Sequence, residues 1–258
     1  MSRDDPDFID AVEKAFRVME AFSAEHPALT VSQAAGLTGL TRPTARRLLL
    51  TFTRLGFAET DGREFRLTPH VLRLGYAYLS STPVWERALP HMRALADSVK
   101  ESVSLAVLDG PEIVYVARVP AARSMTITLT VGSRLPAYPT SMGRVLLADL
   151  PDAELETYLK TVRLDALTPH TLTDRTALRA ELHRVREQGY AMIDGEREEG
   201  VRSAAAAVRD SGQTASIALN VSANAARVPL QRLREEFVPQ LIEAAELISR
   251  EGALSKTR

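Results

Sequence analysis

Apolar positions in the first third of the chain recur at intervals of three and four. Phe8, Val12, Ala15, Phe16, Met19 and Phe22 fall on one face of an amphipathic helix, with Asp7 placed to cap it. His26-Pro27 breaks the pattern, and Thr30, Ser32 and Gln33 open a second, short helix to about Leu37, whose apolar face is Val31, Ala34, Ala35 and Leu37. Thr38-Gly39 supplies a tight turn. Thr41 then caps a third helix with Pro43 in its first turn. Its apolar stripe is Ala45, Leu48, Leu49, Phe52 and Leu55; Arg42, Thr44, Arg46, Arg47 and Thr51 take the opposite side. After Gly56, Phe57-Ala58 and Phe65-Arg66-Leu67 flank Thr60-Asp61-Gly62-Arg63, the pattern of a β-hairpin.

Thr68-Pro69 opens a helix from His70 to about Leu79, which Ser80-Ser81-Thr82-Pro83 ends. Trp85, Ala88, Leu89, Met92, Leu95, Ala96 and Val99 keep the helical period across Pro90, where the helix either kinks or restarts. The period then switches to two. Strands are expected at Val103–Leu108, Glu112–Val119 and Ser124–Val131, the first two joined by Asp109-Gly110-Pro111. Helices follow at Ser141–Leu150, Ala153–Leu159 and Asp174–Gln188, the last stopped by Gly189. Strands return at Tyr190–Asp194, Ser203–Arg209 and Ala215–Val221, and a helix from Pro229 to about Arg250 closes the chain. Short turns between consecutive strands indicate an antiparallel sheet, so the fold class is α+β. The expected domains are 1–68, a winged helix-turn-helix; 69–82, a linker helix; and 83–258, a larger sheet-and-helix domain.

Composition narrows the chemistry. The 258 residues include no cysteine, which removes disulfides, thiolate metal ligation and a cysteine nucleophile. The acidic start MSRDDPDF and the lack of a long apolar run lead us to expect a soluble, cytoplasmic protein with no membrane association. Lys+Arg number 32 and Asp+Glu 33, so net charge carries no argument for nucleic acid. Its distribution does. No acid occurs between Glu25 and Glu59, while Arg42, Arg46, Arg47 and Arg54 lie in that gap.

An arginine-bearing helix is ordinarily a solvated face, and a helical pair with a hairpin need not touch DNA. The ordered set of short helix, glycine turn, capped basic helix and wing outweighs that reading, because it is the arrangement that places a second helix in the major groove. The expected DNA-facing residues are Ser32, Gln33, Thr41, Arg42, Thr44, Arg46, Arg47 and Thr51, with Arg63 and Arg66 on the wing.

In the second half, Gly132-Ser133-Arg134-Leu135-Pro136 runs into Thr140-Ser141-Met142-Gly143-Arg144 at a helix start. Free amides and the helix dipole there suit a carboxylate; Thr140 and Ser141 equally suit plain capping. Glu196, Glu198 and Glu199 with Arg197 read as a solvated acidic loop, and the five histidines are scattered, so neither a metal nor any other cofactor is expected. No nucleophile elbow, phosphate loop or paired-carboxylate signature occurs, so an enzyme is not expected.

Over nearly the whole chain these residues resemble the IclR family of bacterial regulators. The resemblance lies in Val12-Glu13-Lys14-Ala15, the helix-turn-helix from Leu29 to Leu55, Arg66-Leu67-Thr68, Val131 to Pro136, Ser141 to Arg144, Gln188-Gly189-Tyr190-Ala191 followed by Gly200, and Ala218-Leu219-Asn220-Val221. Pro139 to Arg144 and Ile113 to Val119 are most similar to the branch controlling protocatechuate, 4-hydroxybenzoate and β-ketoadipate catabolism. The resemblance implies a GAF-like effector domain and homodimers or homotetramers on palindromic double-stranded operators. It implies a regulator whose DNA binding answers to a small acid, either aromatic or a β-ketoadipate-type dicarboxylate. The implied ligand residues are Ser141, Met142, Gly143, Ser203, Asn220 and Ser222. Met125 is added as an apolar wall and Arg118 as a carboxylate partner. The family's acidic pocket position falls at Asp194 or, nearer, Ile193. Two alternatives stand beside this reading: an effector-independent architectural DNA binder, and an enzyme with an accessory winged domain.

Overall fold

A computed structural model describes residues 6–81, 84–121, 129–209 and 217–255, and the chain divides into two units, Met1–Ser81 and Thr82–Arg258. In the first, α1 (Asp10–Glu20) starts at Ile9 with no side-chain cap, so Asp7 does not cap it. Its fully buried residue is Val18, while Val12 and Phe16 are 48% and 51% exposed. Ala15, Met19 and Phe22 of the expected face pack with Val18 on the core of Leu29, Ala34, Ala45, Leu49, Phe52 and Phe65, so the face is the expected one at its centre, with Val12 and Phe16 left outside and Val18 added.

Helix α2 (Val31–Thr38) follows β1 (Leu29–Thr30) and is started by a complete capping box between Thr30 and Gln33. Gly39 ends it at φ 67, a conformation glycine adopts without a Cβ penalty. Thr38, not Leu37, lies on the buried face, its hydroxyl donating to Ala34 O at 2.6 Å. Helix α3 (Arg42–Arg54) is capped by Thr41 and buries Ala45, Leu49 and Phe52, whereas Leu55 at its end is exposed.

The wing is β2 (Ala58–Thr60) and β3 (Glu64–Leu67), to which β1 adds an unforeseen third strand in the order β1-β3-β2. In its turn Asp61 Oδ1 accepts from the amides of Arg63 and Glu64 at 2.9 and 2.8 Å, which holds the Asp61 carboxyl below the usual carboxylate range. A 3-10 turn at Pro69–Val71 leads into α4 (Leu72–Ser80).

In the second unit α5 (Val84–Val99) runs unbroken through Pro90. A six-stranded antiparallel sheet follows, built from β4 (Ser102–Asp109), β5 (Glu112–Val119), β6 (Arg134–Pro136), β7 (Tyr190–Asp194), β8 (Val201–Val208) and β9 (Ile217–Asn224) in the order β6-β5-β4-β9-β8-β7. Between β6 and β7 lie α6 (Ser141–Ala148), α7 (Asp152–Thr161) and α8 (Arg175–Gln188), which pack on Ala106, Ile113, Tyr115, Ala205 and Ala218. Alternate residues such as Leu105 and Leu219 point the other way, to the side of α5 and α10. The closing helix is α9 (Leu230–Arg232), a π turn at Leu233–Phe237, and α10 (Val238–Ser255).

The strand expected at Ser124–Val131 falls mostly outside the described residues. Residues 122–128 lie outside the described part, and Leu129–Val131 form no strand. Gly132, at φ 89, turns the chain back on β5, and the edge strand is Arg134–Pro136, paired Ile113 to Leu135.

Candidate functional site

On the first unit the N-terminal half of α3 presents a continuous basic face. Arg42, Arg46, Arg47 and Thr51 are exposed and, among the described residues, none of the three arginines makes an ion pair. Thr41 and Thr44 are joined hydroxyl to hydroxyl at 2.9 Å, and Thr51 donates to Arg47 O, so the hydroxyls are held while the guanidinium groups stay available. Ser32 is exposed at the start of α2; Gln33 is exposed too, but its amide oxygen is engaged by Thr30 at 2.9 and 2.8 Å. On the wing, Arg63 is exposed and Arg66 is paired with Glu64 at 3.0 Å. This side is dominated by free guanidinium groups, which suits phosphates and guanine edges.

The second unit holds a small cleft, partly open to solvent. The turn before α6 and its first residues form one wall: Pro139, Thr140, Ser141 and Met142. Tyr115, Ser203, Asn220 and Ser222 of the sheet form the floor, and Ile193, Arg197, Glu198 and Val201 close a side.

The helix start is tightly made. Thr140 Oγ1 accepts from Gly143 N at 3.0 Å and donates to Ala137 O at 3.0 Å. Any Cβ on Gly143 would lie 2.0 Å from Ala137 O, so only glycine lets the turn close on the helix. Gly143 therefore shapes the wall and does not itself line the cleft. Thr140 O takes the Arg144 amide at 3.0 Å, leaving the amides of Ser141 and Met142 without an intrahelical acceptor.

Two further polar atoms are stranded at the same place. Ser141 Oγ and Asn220 Oδ1 are buried without a hydrogen-bond partner, in residues only 1% and 4% exposed. Each such atom costs about 1–3 kcal/mol if left unpaired. A polar ligand would supply the missing partners.

The remaining expected residues separate. Arg118 is half-buried and donates to Ser104 and Ser102 hydroxyls at 3.4 and 3.3 Å; it lies outside the cleft lining, on the row Arg118, Ser104, Asn220 across three strands. Burial lowers its pKa, and burial raises that of Tyr115 against the pull of Arg118 and Arg197. Asp194 is exposed and paired with Arg202 at 2.6 Å; the period-two alternation of β7 brings Ile193 into the cleft instead. Met125 lies outside the described residues.

The loop between β7 and β8 also differs from expectation. Glu196 is not solvated: its side chain is 14% exposed and meets Arg144, itself 3% exposed, at 2.5 Å. It also accepts from Leu172 N at 3.1 Å, and Arg144 adds bonds to Tyr138 O at 3.1 Å and an ion pair with Glu181 at 3.6 Å. The pairing fixes α6 to the loop that carries Arg197 and Glu198. Sequence reasoning missed both of those residues and Tyr115 as cleft residues; the glycines at 195 and 200, which bracket the loop, were the signal available. Among the described residues no group of three or more His, Cys, Asp or Glu is placed to hold a metal ion, and no helix is long and apolar enough to cross a membrane.

A basic helix with a wing in one unit and a small-molecule cleft in the other define a transcriptional regulator. The chain matches the IclR helix-turn-helix domain over residues 11–62 and the bacterial transcriptional regulator IclR C-terminal domain over residues 76–250. It belongs to the IclR family. It is 41% identical over 242 residues to the Pca regulon regulatory protein of Pseudomonas putida, covering 93% of this chain and 83% of that one. The p-hydroxybenzoate hydroxylase transcriptional activator of Acinetobacter baylyi is 34% identical over 245 residues, with 93% and 90% covered. Among solved structures, a transcriptional regulator from Rhodococcus superposes with TM-score 0.84 at 44% identity, covering 96% and 100% of the two chains. An IclR homologue from Microbacterium hydrocarbonoxydans, crystallised with 4-hydroxybenzoate, superposes at 0.81 with 28% identity, covering 94% and 98%.

Proposed function

We propose that this regulator binds a palindromic operator as a homodimer or homotetramer and responds to a small acid of aromatic catabolism, either an aromatic acid or a β-ketoadipate-type dicarboxylate. The observation that carries the reading is the pair of stranded buried atoms, Ser141 Oγ and Asn220 Oδ1, beside the unpaired amides at the start of α6. A carboxylate accepts from the amides and the Ser141 hydroxyl, and a ligand hydroxyl donates to Asn220 Oδ1. The names of the relatives and the 4-hydroxybenzoate complex support the chemical class. The acid and the operator bind sites on different units; an acid that favours one of two states of the chain changes operator affinity, and the operator then changes the acid's affinity by the same factor.

A thermal-shift screen with 4-hydroxybenzoate, protocatechuate and β-ketoadipate tests the sensor. A ligand at a hundred times its Kd stabilises the native state by about 2.7 kcal/mol. Arg47→Ala is expected to weaken operator binding and flatten its salt dependence while leaving the ligand-induced shift intact. Asn220→Leu is expected to do the reverse. Failure of every acid to raise the melting temperature, or operator affinity indifferent to an acid that does bind, refutes the reading and favours an effector-independent DNA binder.

A further inference from the structure

Arg197 and Glu198 are the charged side chains among the described residues lining the cleft. They are bonded to each other, Arg197 Nη1 donating to Glu198 Oε2 at 3.0 Å, with 28% and 43% of the side chains exposed. The loop that carries them is pinned just before the pair. Glu196 is held by buried Arg144 and by Leu172 N, and the hydroxyls of Thr168 and Thr171 donate to Gly195 O at 2.7 Å and Glu196 O at 2.5 Å. Gly195 and Gly200, at φ 70 and 78, turn the chain at both ends. The backbone is thus held immediately before the pair, and rotation of the two exposed side chains is enough to part Arg197 from Glu198.

Apart from this pair the described lining is neutral, so an anion entering the cleft finds one partly exposed cation, already holding a carboxylate of its own. Tyr115 on the floor is close enough to Arg197 for the cation to pull its phenol pKa down against the effect of burial. The guanidinium therefore lies within electrostatic reach of the cleft floor.

We propose that Arg197 is a carboxylate anchor for the effector and that Glu198 is its tethered competitor, occupying the guanidinium until a ligand carboxylate displaces it. The inference rests on the reading that the cleft takes a small acid, and it adds how the site selects. A carboxylate forks onto the guanidinium with two charge-assisted hydrogen bonds and recovers what is lost when Glu198 turns to solvent. A neutral isostere must break the same pair and recovers less, so the pair discriminates against amides and esters of the same shape. Each acid's affinity is a difference between two carboxylates competing for one cation.

Isothermal titration of the full chain with 4-hydroxybenzoate, protocatechuate and adipate, and with neutral 4-hydroxybenzamide, tests this. Glu198→Gln is expected to tighten whichever acid binds by about two- to fivefold, the range of a partly exposed ion pair, and to leave the benzamide unchanged. Arg197→Gln is expected to weaken the acid at least about tenfold, with Arg197→Lys in between. In the double variant the gain from Glu198→Gln disappears, which a merely structural effect would not produce. Unchanged acid affinity in Glu198→Gln, equal tightening of the benzamide, or a gain that persists without Arg197 overturns the inference while leaving the acid-sensor reading intact. Wild-type protein that binds none of the acids overturns both. Unfolding followed by the fluorescence of Trp85, buried in the same unit, checks that each variant is folded.

Discussion

Replacing Glu196 by alanine removes the chief neutralising charge from a guanidinium that is 3% exposed. Breaking a buried ion pair by deleting one partner costs about 3–5 kcal/mol, because the remaining charge has lost both water and counter-ion. Two features move the value within that range. The Leu172 amide also loses its acceptor, which raises the cost; the Glu181 carboxylate, 3.6 Å from Arg144, retains part of the neutralisation and lowers it. With a urea m-value of about 2 kcal/mol/M, the midpoint should fall by about 1.5–2.5 M. The chain's single tryptophan, Trp85, lies in the second unit, so excitation selective for tryptophan follows this unit without interference from the first. Arg144→Met should lower the midpoint as well, and the double variant should recover part of the loss, since it buries no unpaired charge at this position. Midpoints displaced by less than about 0.5 M in both single variants would mean that water screens the pair, and the description of a buried clamp between α6 and the loop would be wrong.

Gly143→Ala puts a methyl 2.0 Å from Ala137 O, so the Ala137–Thr140 turn must open; a loss of about 1–3 kcal/mol in the same urea assay is expected, with loss of any thermal shift by ligand. Thr30→Ala removes the capping box of α2 and should lower the stability of the first unit by about 1 kcal/mol, read by far-ultraviolet circular dichroism. In the wing, Asp61 has a folded pKa depressed by two backbone hydrogen bonds, so its contribution is present above the unfolded carboxylate pKa and is lost as pH falls through the folded one. Protection of the Arg63 and Glu64 amides, measured against their intrinsic exchange rates at each pH, should fall across that acid window, and Asp61→Ala should abolish the dependence.

Local chemistry was legible. Thr30 and Thr41 cap helices and Gly39 and Gly189 end them because each of these roles is decided within a few residues of chain. The edges of the α1 face were not: Ala15, Met19 and Phe22 pack on the core as expected, but Val18 and Phe16 are both apolar and only the position of the core, set by distant residues, chooses between them. The edge strand Arg134–Pro136 was missed for a similar reason: nothing local in those three residues marks a strand, and their pairing with β5 follows from the turn of the chain at Gly132. Five of the expected ligand residues line one cleft, Ser141, Met142, Ser203, Asn220 and Ser222. Arg197 was hidden by its acidic neighbours, whose charge suggested solvent, while Glu196 beside it turns inward to Arg144.

The sheet order has a consequence in time. Its central pair joins β4 to β9, Ser104 opposite Asn220, so the middle of the sheet closes only when the last strand arrives. During synthesis the ribosome releases the wing and its basic helix first, then α5 to β8 with one face of β4 unpaired, an edge open to association with other nascent chains. Asn220 and Ser222 come last. Until they are in place the first unit is already synthesised, while the cleft has only the Tyr115 and Ser203 part of its floor.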